Sequence, residues 1–198
     1  MYATKGDVVI SSKGKVYLKD TQAKRDIKIS STETEIGNKL LAENSINIQN
    51  SKLSNKGQIQ ANNNITINGN VDSSNLISTN KDITISGNLK NSGKLLSKNI
   101  NTNSLNNLGE VSSENLTTTN LENSNKINVK ENINSNSVVN KTSNSEIISK
   151  NLNSNNLDNK GSITVINNVN SGVITNNGKL LVRNRRIYRK NDSNNRSG

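Results

Sequence analysis

Aliphatic residues in this chain fall one residue apart, in short groups that recur. Ile65-Thr66-Ile67 and Ile83-Thr84-Ile85 alternate apolar and polar, the period of a strand with one face buried. Helical spacing at three and four residues is not sustained, and the Ile and Val content favours strands. Longer stretches repeat as well. Residues 37–48 read GNKLLAENSINI, 57–67 read GQIQANNNITI, 93–100 read GKLLSKNI and 178–182 read GKLLV. The leading aliphatics are Leu40, Ile59, Ile77, Leu95, Val111, Ile127, Ile147, Ile163 and Leu180, spaced by 16 to 20 residues. That period is too short for helical-pair repeats and too long for a heptad.

Each repeat holds about three apolar sites, five or six residues apart, as in Leu95, Ile100 and Leu105 or Val111, Leu116 and Leu121. Three aliphatics cannot offset the entropy of ordering a whole repeat, so one coil does not stand alone. Stacked coils solve this: each strand bonds to the strands above and below, and the core becomes continuous. The pattern predicts an all-β parallel β-helix of about 17–20 residues per coil, with nine coils forming a rod of roughly 40 Å. The regular register spans 37–182. Residues 1–36 read as coils in irregular register, with strands at Val8-Val9-Ile10, Val16-Tyr17-Leu18 and Ile27-Lys28-Ile29. Residues 183–198 read as a basic, partly disordered end.

Composition supports a repetitive fold over a disordered one. Only 29% of the 198 residues are hydrophobic and 43 are Asn, yet the chain has no proline and its aliphatics keep regular spacing. Asn suits tight corners, and stacked Asn side chains form hydrogen-bond ladders. Gly57, Gly93, Gly109, Gly161 and Gly178 precede strands, where corners are expected. Without cysteine there are no disulfides or thiolate metal sites. No apolar stretch is long enough to span a membrane, so membrane insertion is not expected. Met1–Ile10 is not a signal peptide, so an exported protein would hold these residues as an internal piece, with adjoining coils of the same longer chain as neighbours.

The pattern G-x-[IL]-x-[AS]-x-x-[ND]-[IL]-x-[IL], with GQIQANNNITI as its closest copy, resembles the filamentous haemagglutinin-type repeat. GDVVISSKGKVYL (6–18) resembles related strand motifs of the same family. The resemblance covers most of 6–182 and implies a right-handed β-helix shaft from a two-partner-secretion exoprotein. It further implies secretion to the bacterial surface through an outer-membrane transporter, acting on a region absent here, and a host or bacterial surface receptor or glycan as partner. Adhesins and contact-dependent growth-inhibition proteins share such shafts. The family's secretion domain carries Asn-Pro-Asn-Gly, which this chain lacks, and repeats of 16 residues are shorter than the family norm.

Chemistry is sparse. Without His or Cys, the usual general base and thiol nucleophile are missing. A polysaccharide-active β-helix enzyme would cluster acids with one basic residue; Asp72 and Asp82 instead fall on different sides of a coil. Glu110 and Glu131 are 21 residues apart and read as solvated. The chain is therefore expected not to be an enzyme and to carry no cofactor or metal. Isolated Thr-x-Thr pairs do not make an ice-binding array. A pentapeptide-type helix that mimics nucleic acid would keep a spacing of five and be acidic; this chain does neither. The net charge is +11, of which residues 183–198 carry +5. With only 2% aromatics there is little to stack on bases, so nucleic acid is not an expected partner. Arg183, Arg185, Arg186, Arg189 and Lys190 form a candidate polyanion-binding run. As a charged end that blocks further strand addition, the same run has a simpler reading, and its position favours that one.

Overall fold

The computed structural model describes residues 1–184 and the backbone of 186–189. One parallel sheet winds on itself through about ten turns, with no helix among the described residues. Each turn has three sides. The first begins at Val8–Ser11 and recurs at Ile27–Ser30, 46–49, 65–68 and onward to 168–171. The second begins at 15–18 and recurs at 33–36, 52–55 and onward to 173–176. The third runs from Tyr2–Ala3 through 20–23, 39–42, Gln58–Ala61 and Leu76–Thr79 to Lys179–Val182.

The nine leading aliphatics of the repeat form a single column on the third side. Leu40 stands on Ile59 and Ile59 on Ile77; the column continues through Leu95, Val111, Ile127, Ile147 and Ile163 to Leu180. The other two apolar sites form columns of their own, one through Ile100 and Leu116 and one through Leu105 and Leu121. All four of these residues are fully buried. Residues 1–36 stack in the same parallel manner, with Val8 on Ile27 and Lys15 on Glu33. Their register shift between Leu18 and Asp20 has counterparts further along, for example between Ser113 and Asn115. After Val182, where the apolar pattern fades, one more strand follows: Arg186–Arg189 pairs with 168–171 and sets Ile187 on Val169.

The uneven repeat length has a structural cause at the corner between the first and second sides. In the early coils the last inward position of the first side is Ile29, Ile48, Ile67 or Ile85. From the sixth coil onward it is Thr102, Thr118, Ser135, Ser154 and Ser171, all buried. The next core residue after Ile85 is Leu89, four positions on, but Leu105 lies only three positions after Thr102. The tighter bend leaves no room for an Ile side chain and brings backbone carbonyls inward. A hydroxyl fits there and satisfies them: Thr102 Oγ1 donates to the carbonyls of Gly87 (3.1 Å) and Ser104 (3.2 Å), and Ser135 Oγ to those of Thr119 and Ser137. The longest step, the 20 residues from Ile127 to Ile147, is taken up in the loop between Asn140 and Glu146.

Glycine enters at the corner before the third side because the coils touch there. A Cβ on Gly109 would lie 2.1 Å from the carbonyl oxygen of Gly93, and one on Gly178 would lie 2.2 Å from that of Gly161. Backbone cannot yield as a flexible side chain can. Gly109→Ala is therefore expected to lower stability by about 2 kcal/mol or more, as overpacking a close contact does. Gly14→Ala, with only a Ser12 hydroxyl at 4.0 Å, is expected to be near neutral. Urea unfolding followed by circular dichroism reads the difference.

Candidate functional site

Stacking puts like residues on like residues, and the chain uses this three times. The first use is inside. The last inward position of the second side holds Asn91, Asn107, Asn123, Asn140 and Asn159, each fully buried. Each Nδ2 donates to the Oδ1 of the Asn one coil further on: Asn91 to Asn107 at 2.8 Å, then Asn123, Asn140 and Asn159 at 2.9 Å each, ending on Asn176 at 2.7 Å. The same amides bind the adjoining corner, as when Asn107 Nδ2 donates to the Gly109 carbonyl (2.9 Å) and Gly161 N–H donates to Asn159 Oδ1 (3.1 Å). A buried polar ladder is stable only when its members are satisfied, and this one has a gap. At the equivalent position of an earlier coil stands Ser73, whose hydroxyl donates to the Asn75 carbonyl and accepts from Asn55 Nδ2. Asn91 Oδ1, next in line, is buried without a partner.

The second use is charge. Lys and Glu alternate from coil to coil on the second and third sides and their corners. Lys94 pairs with Glu110 (3.3 Å), Glu131 with Lys150 (2.8 Å) and Lys24 with Glu43 (2.6 Å). Glu35 is held from both sides, by Lys15 Nζ at 2.8 Å and Lys56 Nζ at 2.7 Å. These hydrogen bonds, Lys15 first and then Lys56, pull its carboxyl down to about 2 from an ordinary 4.5. Asp7 is also lowered, chiefly by the Asp26 backbone N–H and then by Lys28. The third use is on the outer face of the first side, where the outward columns that begin at Asn47 and Gln49 carry only Asn, Thr, Ser, Gln and Gly, with Asp82 at the edge of the side.

The acids considered for catalysis are dispersed. Glu110 stands at the start of the third side, between Lys94 and Lys126 in its column. Glu131 sits at the corner before the first side, beside Lys150, so the two glutamates do not converge. Asp82 accepts from Asn99 Nδ2 (2.7 Å), and Asp72 lies on the second side opposite Lys90. Among the described residues no three metal-ligating side chains cluster, and no helix is long and apolar enough to cross a membrane. An open groove lies over the small-residue column Ala23, Ala42 and Ala61, walled by Gln22, Gln60 and the Lys24–Glu43 pair. Its one acid is already paired. Of the basic run, Arg183 is exposed and its N–H donates to the Val165 carbonyl (3.0 Å). Arg186 and Arg189 lie on the added strand of the first side, while Arg185 and Lys190 lie outside the described residues.

The inner ladder could have been found from the sequence. Asn-x-Gly precedes the third side at Asn55, Asn91, Asn107, Asn159 and Asn176, and the pairing of the Asn amide with that corner is its physical basis. No known protein family, curated protein or solved structure matches this chain.

Asn123→Ala removes the donor to Asn140 Oδ1 and one acceptor of Asn107 Nδ2 and is expected to cost about 1–3 kcal/mol. Ser73→Asn closes the gap to Asn91 and is expected to raise the thermal midpoint; a fall would show that the site lacks room. For Glu35 the folded pKa lies below the unfolded value, so its stabilising effect is complete above about pH 4.5 and is lost as pH falls toward about 2. The gap in urea midpoint between wild type and Glu35→Gln should be full at pH 6 and shrink across that window.

Proposed function

We propose that this chain is a structural shaft segment of a secreted bacterial haemagglutinin-like exoprotein, displayed at the cell surface for adhesion. The observation that carries the reading is the continuity of the stack. Core columns tie every coil to the next, reinforced by the inner Asn ladder from Asn91 onward and by ion pairs between several coils. Where acids do meet a base, at Asp7 and Asp26 around Lys28 (3.3 and 3.8 Å), they are ion-paired along the stack, with Arg25 also beside Asp7. A continuous stack in which the loops of the described residues stay short, the one between Asn140 and Glu146 included, suits a spacer that holds something else at a distance. Adhesion and secretion rest on the likeness of GQIQANNNITI and its neighbours to the haemagglutinin-type repeat.

Antibodies raised against residues 37–182 test this in the source organism. The expected result is labelling of intact cells that is lost after brief external protease, together with reduced cell attachment when soluble chain is added as competitor. Antigen found only after lysis would overturn the secreted reading. Surface antigen without any competition would leave a shaft and remove the adhesive role.

A further inference from the structure

We propose that the first side is a self-recognition surface, on which a second copy of this chain packs face to face with its axis antiparallel. The chain carries a net charge of +11, and the ion pairs described above sit on the other sides and at corners. Yet the outward columns that begin at Asn47 and Gln49 hold no charged residue as far as Asn170; the one acid of this side in that range, Asp82, stands at its edge and accepts from Asn99 Nδ2. Steps of about 4.8 Å make that neutral strip about 34 Å long. The charge-bearing outward position of this side, Lys28, belongs to an earlier coil. A surface left to solvent has no reason to exclude Lys and Glu, whereas a desolvated contact does. Between two positively charged copies, a neutral face is also where approach is least opposed.

The side chains present are self-complementary. Each amide offers two donors and an acceptor, and each hydroxyl a donor and an acceptor, so Asn can pair with Thr, Ser or Asn across the contact. The columns are also ordered in advance. Asn153 Nδ2 donates to Asn134 Oδ1 (2.8 Å), and Asn155 likewise binds Asn136. Along the adjoining corner Asn132 donates to Asn115 and Asn151 to Asn132, each at 3.0 Å. All of these outer amides point their NH2 groups toward the preceding coil, opposite in direction to the inner ladder. The face therefore carries aligned amide dipoles along the axis. A copy laid antiparallel opposes them, and a parallel copy would align like with like. A two-fold axis between the coils of Asn101 and Thr117 then sets Asn134 opposite Thr84.

A strip about 34 Å by 13 Å covers roughly 900 Å² in total over two copies, below the size of stable dimers. Pairing at this length is weak, and it strengthens as more coils engage. Because the attraction is not ionic and the net charges repel, added salt promotes it.

Sedimentation equilibrium at rising protein concentration, in low and high salt, is the first test. Reversible dimers that tighten with salt are expected; a monomer up to millimolar concentration in both buffers overturns the proposal. Thr117→Lys with Asn134→Lys places charge in the strip and should weaken association at least tenfold. Asn156→Lys, on the second side, should leave it unchanged and controls for folding; equal effects would overturn the assignment of the face. The chain has no cysteine, so Thr84→Cys mixed with Asn134→Cys should form a mixed disulfide under mild oxidation. Asn134→Cys alone should not, since antiparallel packing keeps the two copies of residue 134 about three coils apart, beyond disulfide reach. Self-linking of Asn134→Cys would overturn the antiparallel arrangement. Binding of a monomeric chain to an insoluble neutral polysaccharide, blocked by the double Lys variant, would assign the face to a glycan instead.

Discussion

The parallel stacking of one coil on the next is the constraint on which the rest of this structure depends. Strands bonded at about 4.8 Å leave each side chain directly over its equivalent in the adjoining coil. Whatever a position carries must therefore tolerate itself. Aliphatics do so by forming a continuous core. Asn does so because an amide donates at one end and accepts at the other, so a column of them closes hydrogen bonds coil after coil. Charged residues do not, and here Lys alternates with Glu along the axis, as in the column Lys94, Glu110, Lys126 and Glu146.

The same constraint explains how a chain with so little apolar content keeps a defined fold. Length along the chain is free to vary, while the stacked positions are not. Steps of 16 to 20 residues lead from one equivalent position to the next, and the difference is absorbed at corners. At the corner after the first side the change goes further. The bend tightens, Ile gives way to Thr or Ser, and the hydroxyls bind the carbonyls turned inward. Part of the core is thus exchanged for hydrogen bonds with little loss of order, because each hydroxyl sits at a fixed place in its coil.

Much of this is legible in the residues. The column from Leu40 to Leu180 was identifiable by spacing alone, since buried aliphatics on a strand have few alternatives in sequence. The Asn-x-Gly signal was equally present, but Asn is so common in this chain that the buried ones do not stand out by composition. Only the pairing register separates Asn107 and Asn123, fully buried in the ladder, from Asn101 and Asn134, exposed on the first side. The scattered placement of Asp72, Asp82, Glu110 and Glu131 was likewise visible as spacing, whereas the Lys partner of Glu131 was not.

The sequence by itself determined the class of fold, the length of the repeat and the three apolar sites in each coil. Those follow from local alternation and from the need of a short unit to bury its face on its neighbour. The tertiary structure alone decided which polar residues face inward, which cations meet which acids, and which outward columns are left without charge. Those depend on register between coils, and a corner that gains or loses one residue moves every later position relative to the coil before it.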